Sequence, residues 1–229
     1  MYTDELVFFT TKADFDTSGE IQSGEYRYPF EFVIPEDGPT SYDGRSGWIE
    51  YKLKALVEIS WKPDSKDEVF LNIRGSRKAP ISESQRGFAD KDGYSVLDVE
   101  LERSTIYLGE EINLKFRVSN NVNIRGVRIE LRSIEFTRAR RQKRKSKKTL
   151  VEHFVENDQI QRDLWTEFRI QTSDTMPPNF DGEYLDIESQ LKITLDIPWR
   201  NDKEVKLPIV LAHRGLESVT NEELDDWFK

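Results

Sequence analysis

The sequence predicts an all-β protein made of two tandem antiparallel β-sandwiches, with an incomplete first sandwich and a short C-terminal helix. Most apolar segments of its 229 residues alternate with period two, as Ile112, Leu114, Phe116 and Val118 do. Such alternation is typical of a strand that buries one face. Turn residues separate these segments at short intervals, which favours antiparallel sandwiches.

The first domain is predicted at residues 1–78. From residue 26 to residue 34 every even position is aromatic or aliphatic, and Pro35, Gly38 and Pro39 then end the run. A second alternating run covers residues 49–59, and a third covers residues 69–73. The buried faces of these strands are expected to include Tyr28, Phe30, Phe32, Tyr51 and Leu53.

The second domain is predicted at residues 94–213, after a linker at residues 79–93. The linker is predicted because this stretch is polar and contains Pro and Gly. Period-two alternation restarts after it, at residues 97–101, 112–118, 127–131, 168–170, 191–197 and 205–209. These runs predict the strands of a second, larger sandwich.

The tail at residues 214–229 is predicted to contain a short helix from residue 221 to residue 228. Residues 220–223 read Thr-Asn-Glu-Glu, which is a capping box at a helix N-terminus. Leu224, Trp227 and Phe228 then fall on one side of the helix. Two interpretations stay open: the helix docks on the second sandwich, or it is a motif that binds a groove on a partner protein.

Composition argues against several classes of function. The net charge is −9, whereas phosphate recognition needs a basic surface, so nucleic acid is not expected as the main partner. The chain has no cysteine and only two histidines, His153 and His213, so no metal site or other cofactor is expected. No catalytic motif is recognised, and no apolar run approaches the roughly 18 residues of a membrane span. We therefore expect a cytoplasmic protein that is not an enzyme.

One segment, residues 138–148, contrasts with this acidic average. Eight of its eleven residues are basic: Arg138, Arg140, Arg141, Lys143, Arg144, Lys145, Lys147 and Lys148. Because like charges repel, the segment is predicted to project as a mobile loop at the tip of a hairpin. Two interpretations stay open: a solvated loop whose charges meet acidic surface nearby, or a binding site for an anionic membrane surface or another polyanion such as nucleic acid.

Five segments resemble arrestin domains in their sequence, order and spacing. GEYRYPFEFVIP, GWIEYKLKALVEI and VFLNIRGSRKAP, within residues 24–80, are similar to the arrestin N-domain and its hinge. IYLGEEINLKFRVSNNVNIRGVRIEL and IPWRNDKEVKLPIVLAH, within residues 106–213, are similar to the C-domain. The resemblance implies an immunoglobulin-like arrestin fold, within a wider clan that includes the retromer arrestin-like subunit and bacterial sporulation-control proteins. It also implies a non-catalytic adaptor or scaffold that binds proteins in trafficking or signalling.

Two features depart from the arrestin pattern. Few residues precede Gly24, where arrestins have several strands, so the first sandwich is expected to expose apolar faces and unpaired edges. Three interpretations stay open: a reduced domain, a truncated start, or a second chain, such as a homo-oligomer partner, that completes the sheet. Phe70 occupies the position of an arginine that senses receptor phosphate in signalling arrestins, so a switch of that kind is not expected.

Overall fold

The computed structural model of the protein describes residues 4–15, 24–35, 38–59, 61–75 and 79–214. Within these ranges there are fourteen strands and one 3₁₀ turn, at Asn157–Gln159. The first part of the chain contains β1 (Tyr42–Asp43), β2 (Trp48–Ile49), β3 (Tyr51–Val57) and β4 (Ser65–Leu71). The second part contains β5 (Gln85–Lys91), β6 (Tyr94–Leu101), β7 (Thr105–Tyr107), β8 (Glu111–Val118), β9 (Gly126–Ala139), β10 (Gln142–Glu156), β11 (Trp165–Gln171), β12 (Phe180–Asp181), β13 (Leu185–Asp196) and β14 (Lys203–Ala212). The predicted all-β class is confirmed.

Two sheets form the second sandwich. One sheet has the strand order β11-β8-β6-β5, and the other has the order β10-β9-β13-β14-β7, with β12 beside β13. Neighbouring strands run antiparallel, except that β14 and β7 are parallel. The side chains between the two sheets form one large hydrophobic core. This is the antiparallel arrangement that the alternating sequence predicts.

The alternation of apolar side chains decides which face of each strand is buried. In β8, Ile112, Leu114, Phe116 and Val118 all lie in the core, as predicted, while the residues between them are more exposed. Burial of apolar surface contributes about 25 cal/mol per Å², so a face of this kind holds its strand against the opposite sheet. The same alternation positions β9, β13 and β14 on the other side of the core.

The prediction of a linker at residues 79–93 is wrong for residues 85–91. Residues Gln85–Lys91 form β5, which pairs antiparallel with β6 along its whole length. Only Ala89 of β5 is a buried apolar residue, so the strand is held largely by backbone hydrogen bonds. A strand of that kind has no clear apolar alternation in the sequence, and for this reason the stretch resembled a linker.

The first part of the chain has fewer and shorter strands in its described residues than the second part. β1 pairs with β2, and β3 pairs with β4, in two separate two-stranded sheets. Residues 24–35 contain no strand, and Tyr28 and Phe30 are exposed, so the prediction that they are buried is wrong. Tyr51 is buried as predicted, while Phe32 and Leu53 are half-buried. An alternating segment needs a neighbouring strand to complete its hydrogen bonds, and no described strand lies beside residues 24–35.

The first part of the chain contacts the second sandwich through a smaller core. β9, β10 and β13 are long strands, and their ends at residues 133–139, 142–148 and 185–189 extend past the main core. A second hydrophobic cluster covers one face of this extension, where Ile49 and Tyr51 pack with Phe180, Leu185 and Ile187. Glu135 pairs with Ile187 and therefore lies on the same face of the extension as this cluster.

Candidate functional site

The basic segment folds as the end of a β-hairpin, not as a mobile loop, so this part of the prediction is wrong. β9 and β10 pair in continuous register from Ala139 and Gln142 at the tip to Ser133 and Lys148. Only Arg140 and Arg141 lie outside the strands, with φ angles of +43° and +68°. Two positive φ angles are the mark of the tight two-residue turn that matches strand twist. Backbone pairing with β9 therefore outweighs the repulsion among the cations.

Alternation along β10 divides the cations between the two faces of the sheet. Paired residues on neighbouring antiparallel strands share a face. Lys143, Lys145 and Lys147 lie on one face, where the Lys145 ammonium is 4.5 Å from the centre of the Phe136 ring. Arg144 and Lys148 lie on the other face, which Ser146 and Glu135 also share. Because alternate residues are about 7 Å apart, the first face carries three evenly spaced charges, whereas the second carries two charges about 14 Å apart with Ser146 between them.

Arg138 and Arg140 have acidic partners. The guanidinium of Arg138 donates to both carboxylate oxygens of Asp186, at 3.2 Å to Oδ1, and this contact raises the pKa of Arg138. It also donates to the backbone carbonyls of Gly182 and Glu183 at 3.3 Å. The backbone N–H of Arg140 donates to Asp4 at 2.7 Å, at the tip of the hairpin.

The other cations of the hairpin are not balanced in this way. The exposed residues that form no ion pair with a carboxylate in the part of the chain that the structure describes are Arg141, Lys143, Arg144, Lys145, Lys147 and Lys148. Elsewhere on the sandwich, basic side chains pair across strands, as Lys115 does with Glu100 at 2.8 Å. The hairpin is therefore a local positive surface on a chain whose net charge is −9.

The positive surface lies at the edge of a sheet. β10 is the last strand of its sheet and pairs only with β9 among the described residues. One side of a 15-residue strand is thus without a neighbouring strand there. Unpaired edge strands present backbone donors and acceptors to other chains, and exposed lysines on an edge oppose pairing with a copy of the same strand.

A buried carboxylate, which the sequence analysis missed, joins this hairpin to the first part of the chain. Glu135 is 4% exposed and accepts hydrogen bonds from Tyr42 Oη at 2.9 Å, from the backbone N–H groups of Arg45 and Ser46 at 3.0 Å, and from Ser146 Oγ at 3.2 Å. Burial, together with the bond to this carboxylate, raises the pKa of Tyr42. A Cβ atom at Gly44 would overlap Glu135 Oε2, so glycine permits the close approach of the loop. The sequence contains one indication of this buried carboxylate: the alternation that buries Leu131 continues to the polar residues Ser133 and Glu135.

The remaining candidates contribute no chemistry to this site. His153 is exposed and lies edge-on to Phe168, and burial lowers the pKa of the half-buried His213. Among the described residues, no group of three or more His, Asp or Glu side chains could hold a metal ion. No helix in the described part of the chain is long and apolar enough to cross a bilayer. The predicted helix with Leu224, Trp227 and Phe228 lies outside the described residues and stays a prediction.

Fold and site together define an all-β protein whose candidate contact surfaces are sheet edges and exposed strand faces. Comparison with protein families then gives a direct match to both halves of the chain. The family described as arrestin (or S-antigen), N-terminal domain, matches residues 3–76, and arrestin (or S-antigen), C-terminal domain, matches residues 91–216. The chain belongs to the arrestin family, whose members in general are adaptors that bind protein partners.

Individual relatives match over part of their length. Arrestin domain-containing protein A of Dictyostelium discoideum is 25% identical over 227 residues, covering 89% of this chain and 38% of that protein. Phosrestin-1 of Drosophila melanogaster is 31% identical over 116 residues, covering 43% of this chain and 29% of that protein. The chain thus spans less than two-fifths of these relatives. The crystal structure of Spo0M, a sporulation control protein from Bacillus subtilis, aligns with a TM-score of 0.45 at 17% identity, over 62% of this chain and 56% of that one.

Proposed function

We propose that the protein is a non-catalytic adaptor or scaffold of the cytoplasm, acting in trafficking or signalling, and that the basic hairpin at residues 138–148 is its partner-binding surface. One observation carries this proposal: six of the eight basic residues of the hairpin, all except Arg138 and Arg140, form no ion pair with a carboxylate among the described residues. Uncompensated charges on a rigid element attract a partner of opposite sign and speed its association. The family match supports a protein as that partner.

An anionic membrane surface is the second candidate for this site. It is favoured by the row of Lys143, Lys145 and Lys147 on a single face of the sheet. Each cation close to an anionic bilayer contributes about 1 kcal/mol of binding free energy, and salt reduces that contribution. A membrane would contact one face of the hairpin, whereas a protein can contact both.

Replacing Lys143, Arg144, Lys147 and Lys148 together by serine is expected to abolish binding to polyanions and leave the melting temperature unchanged. The reason is that exposed charges without partners contribute little to stability. The measurements are retention of the protein by poly-L-glutamate and by phosphatidylserine vesicles, at low and at high salt. Both should decline steeply with salt for the parent protein if the contact is Coulombic.

A matched control replaces four cations outside the hairpin, Lys54, Lys62, Lys66 and Arg86, which are also exposed. This variant has the same net charge as the hairpin variant and is expected to bind both probes like the parent protein. Equal loss of binding in the two variants would reject a specific role for the hairpin. Retention by vesicles without retention by poly-L-glutamate would favour the membrane over a protein partner.

We also propose that a second copy of the chain covers the apolar face of the β3–β4 sheet. Leu53 and Val69 pair on that face, and the polar Lys54 and Glu68 pair on the other face. Neither β3 nor β4 has another strand beside it in the described ranges. A two-stranded sheet is marginal in water, and an identical copy offers the same apolar face and free edges about a two-fold axis.

Association through this face predicts that Val69→Lys weakens the dimer, because it introduces a charge into the contact. Leu56→Lys is the matched control, since Leu56 is 55% exposed and Val69 is 53% exposed, on opposite faces of the same sheet. Light scattering over a concentration series measures the mass. A parent protein that is monomeric at every concentration would disprove the second copy, as would equal dissociation in both variants.

A further inference from the structure

The edge of β10 combines two features that together define a partner. Its backbone has a neighbouring strand on one side only, where β9 lies, within the described part of the chain. Its side chains carry positive charge on both faces of the sheet, with Lys143, Lys145 and Lys147 on one face and Arg144 and Lys148 on the other. Either feature alone is common on protein surfaces, but a single ligand can use both only if it lies along the edge.

A strand added to a free edge has the same alternation as the strand beside it. Its side chains project alternately toward the two faces of the sheet, and its backbone donates and accepts hydrogen bonds along the edge. Next to residues 143–148, acidic side chains of an added strand would meet three lysines on one face and Arg144 and Lys148 on the other. A bilayer, by contrast, can approach only one face and cannot pair with the backbone of β10.

We propose that an extended acidic peptide segment of a partner protein binds as an additional strand along β10, opposite residues 143–148. This inference rests on the proposed function of the hairpin and names the chemistry of its partner. The contact covers six residues, or about 20 Å of extended chain. Backbone hydrogen bonds supply affinity, and the cations on the two faces select acidic over neutral or basic sequences.

The same charges explain why this edge would accept a foreign strand and still avoid its own copy. Two copies of β10 brought edge to edge would place Lys143, Lys145 and Lys147 of one chain beside those of the other, and like charges across a pair are destabilising. Lysine-rich edges are a common protection against aggregation for this reason. An acidic strand reverses the sign of that interaction.

The test uses the full chain and a blocked synthetic peptide in which glutamates alternate with threonine and valine. Calorimetry is expected to give binding that weakens with salt. Amide hydrogen exchange is expected to slow in the complex at those residues of 143–148 whose N–H groups face the free edge. In an extended peptide the N–H groups of alternate residues face the same edge. Methylating the backbone nitrogen of every second residue therefore blocks strand pairing along one edge and leaves all charges in place. Either edge of the peptide could pair with β10. The affinity is therefore measured for two peptides, each methylated along one edge, and for a third peptide methylated along both edges.

Strand addition predicts that the doubly methylated peptide loses affinity by about tenfold or more, as expected for several lost hydrogen bonds. Replacing either Lys143, Lys145 and Lys147 or Arg144 and Lys148 by serine should each weaken binding of the unmodified peptide. Equal affinity of the methylated and unmodified peptides would overturn strand addition and leave charge-driven binding at the hairpin standing. If the parent protein bound phosphatidylserine vesicles but not the unmodified peptide, the proposal of a peptide partner would be overturned in favour of a membrane. If the parent protein bound none of the probes, whether peptide, poly-L-glutamate or vesicle, the proposed function of the hairpin would be rejected as well.

Discussion

Phe116→Ala is expected to lower the free energy of unfolding by about 3–5 kcal/mol, which is the range for emptying an aromatic core site. Phe116 lies in the middle of β8 with 0% of its surface exposed, within the core shared by the two sheets of the second sandwich. Both sheets are paired along long strands, so the site cannot collapse fully and a cavity remains. Equilibrium urea unfolding of the parent protein and of the variant measures the difference.

Phe30→Ala is the matched control, because it removes the same atoms from a side chain that is 53% exposed. Its ring lies 5.2 Å from that of Phe32, centre to centre, and no strand of the described residues holds it against a core. The expected loss is below about 1 kcal/mol. Equal losses in the two variants would contradict the described placement of residues 24–35 and would restore the prediction that Phe30 is buried.

Glu135→Ala is expected to destabilise the protein by about 2–4 kcal/mol, because each buried donor left without an acceptor costs about 1–3 kcal/mol. The substitution removes the acceptor of Tyr42 Oη and of the backbone N–H groups of Arg45 and Ser46. The variant also no longer has to bury a carboxylate, which offsets part of that cost. Urea unfolding measures the net effect, and hydrogen exchange at Arg45 and Ser46 reports whether the loop still docks.

Glu188→Ala provides the comparison for this prediction. Glu188 lies on β13 of the same sheet, is exposed, and forms no ion pair with a described residue. Its removal is expected to change stability by no more than about 0.5 kcal/mol. If Glu135→Ala were as stable as Glu188→Ala, with protected amides at Arg45 and Ser46, then Glu135 would not be what attaches the first part of the chain to the hairpin.

The candidate site could be predicted only in part from the sequence. The run of basic residues is visible by inspection, and its position between two strands indicated a hairpin. Its composition, however, suggested a loop, since Lys143, Arg144 and Lys145 show no apolar alternation. These residues are in a strand because β9 supplies a backbone partner for each of them, and hydrogen bonding of that kind leaves no mark on side-chain pattern.

The hydrogen bonds of Glu135 could not be predicted from the sequence. Its hydrogen-bond donors, Tyr42, Arg45 and Ser46, are about ninety residues earlier in the chain. A polar side chain on the buried face of β9 was detectable as a break in the alternation, but its partners were not, because only the packing of distant segments brings them together. The same reasoning applies to the division of the hairpin cations between two faces, which depends on the register of β9 and β10.

The sequence by itself determined the all-β class, the buried faces of the second sandwich and the arrestin family, because period-two alternation and motif order are local properties. It did not determine the fate of residues 24–35, whose alternation matches that of Ile112–Val118 but which form no strand in the described structure. The tertiary structure decided that difference, along with the strand character of β5 and of the basic hairpin. The physical reason is that a strand is stabilised by its neighbours: apolar alternation supplies a face to bury, but only an adjacent strand and an opposing sheet allow it to be buried.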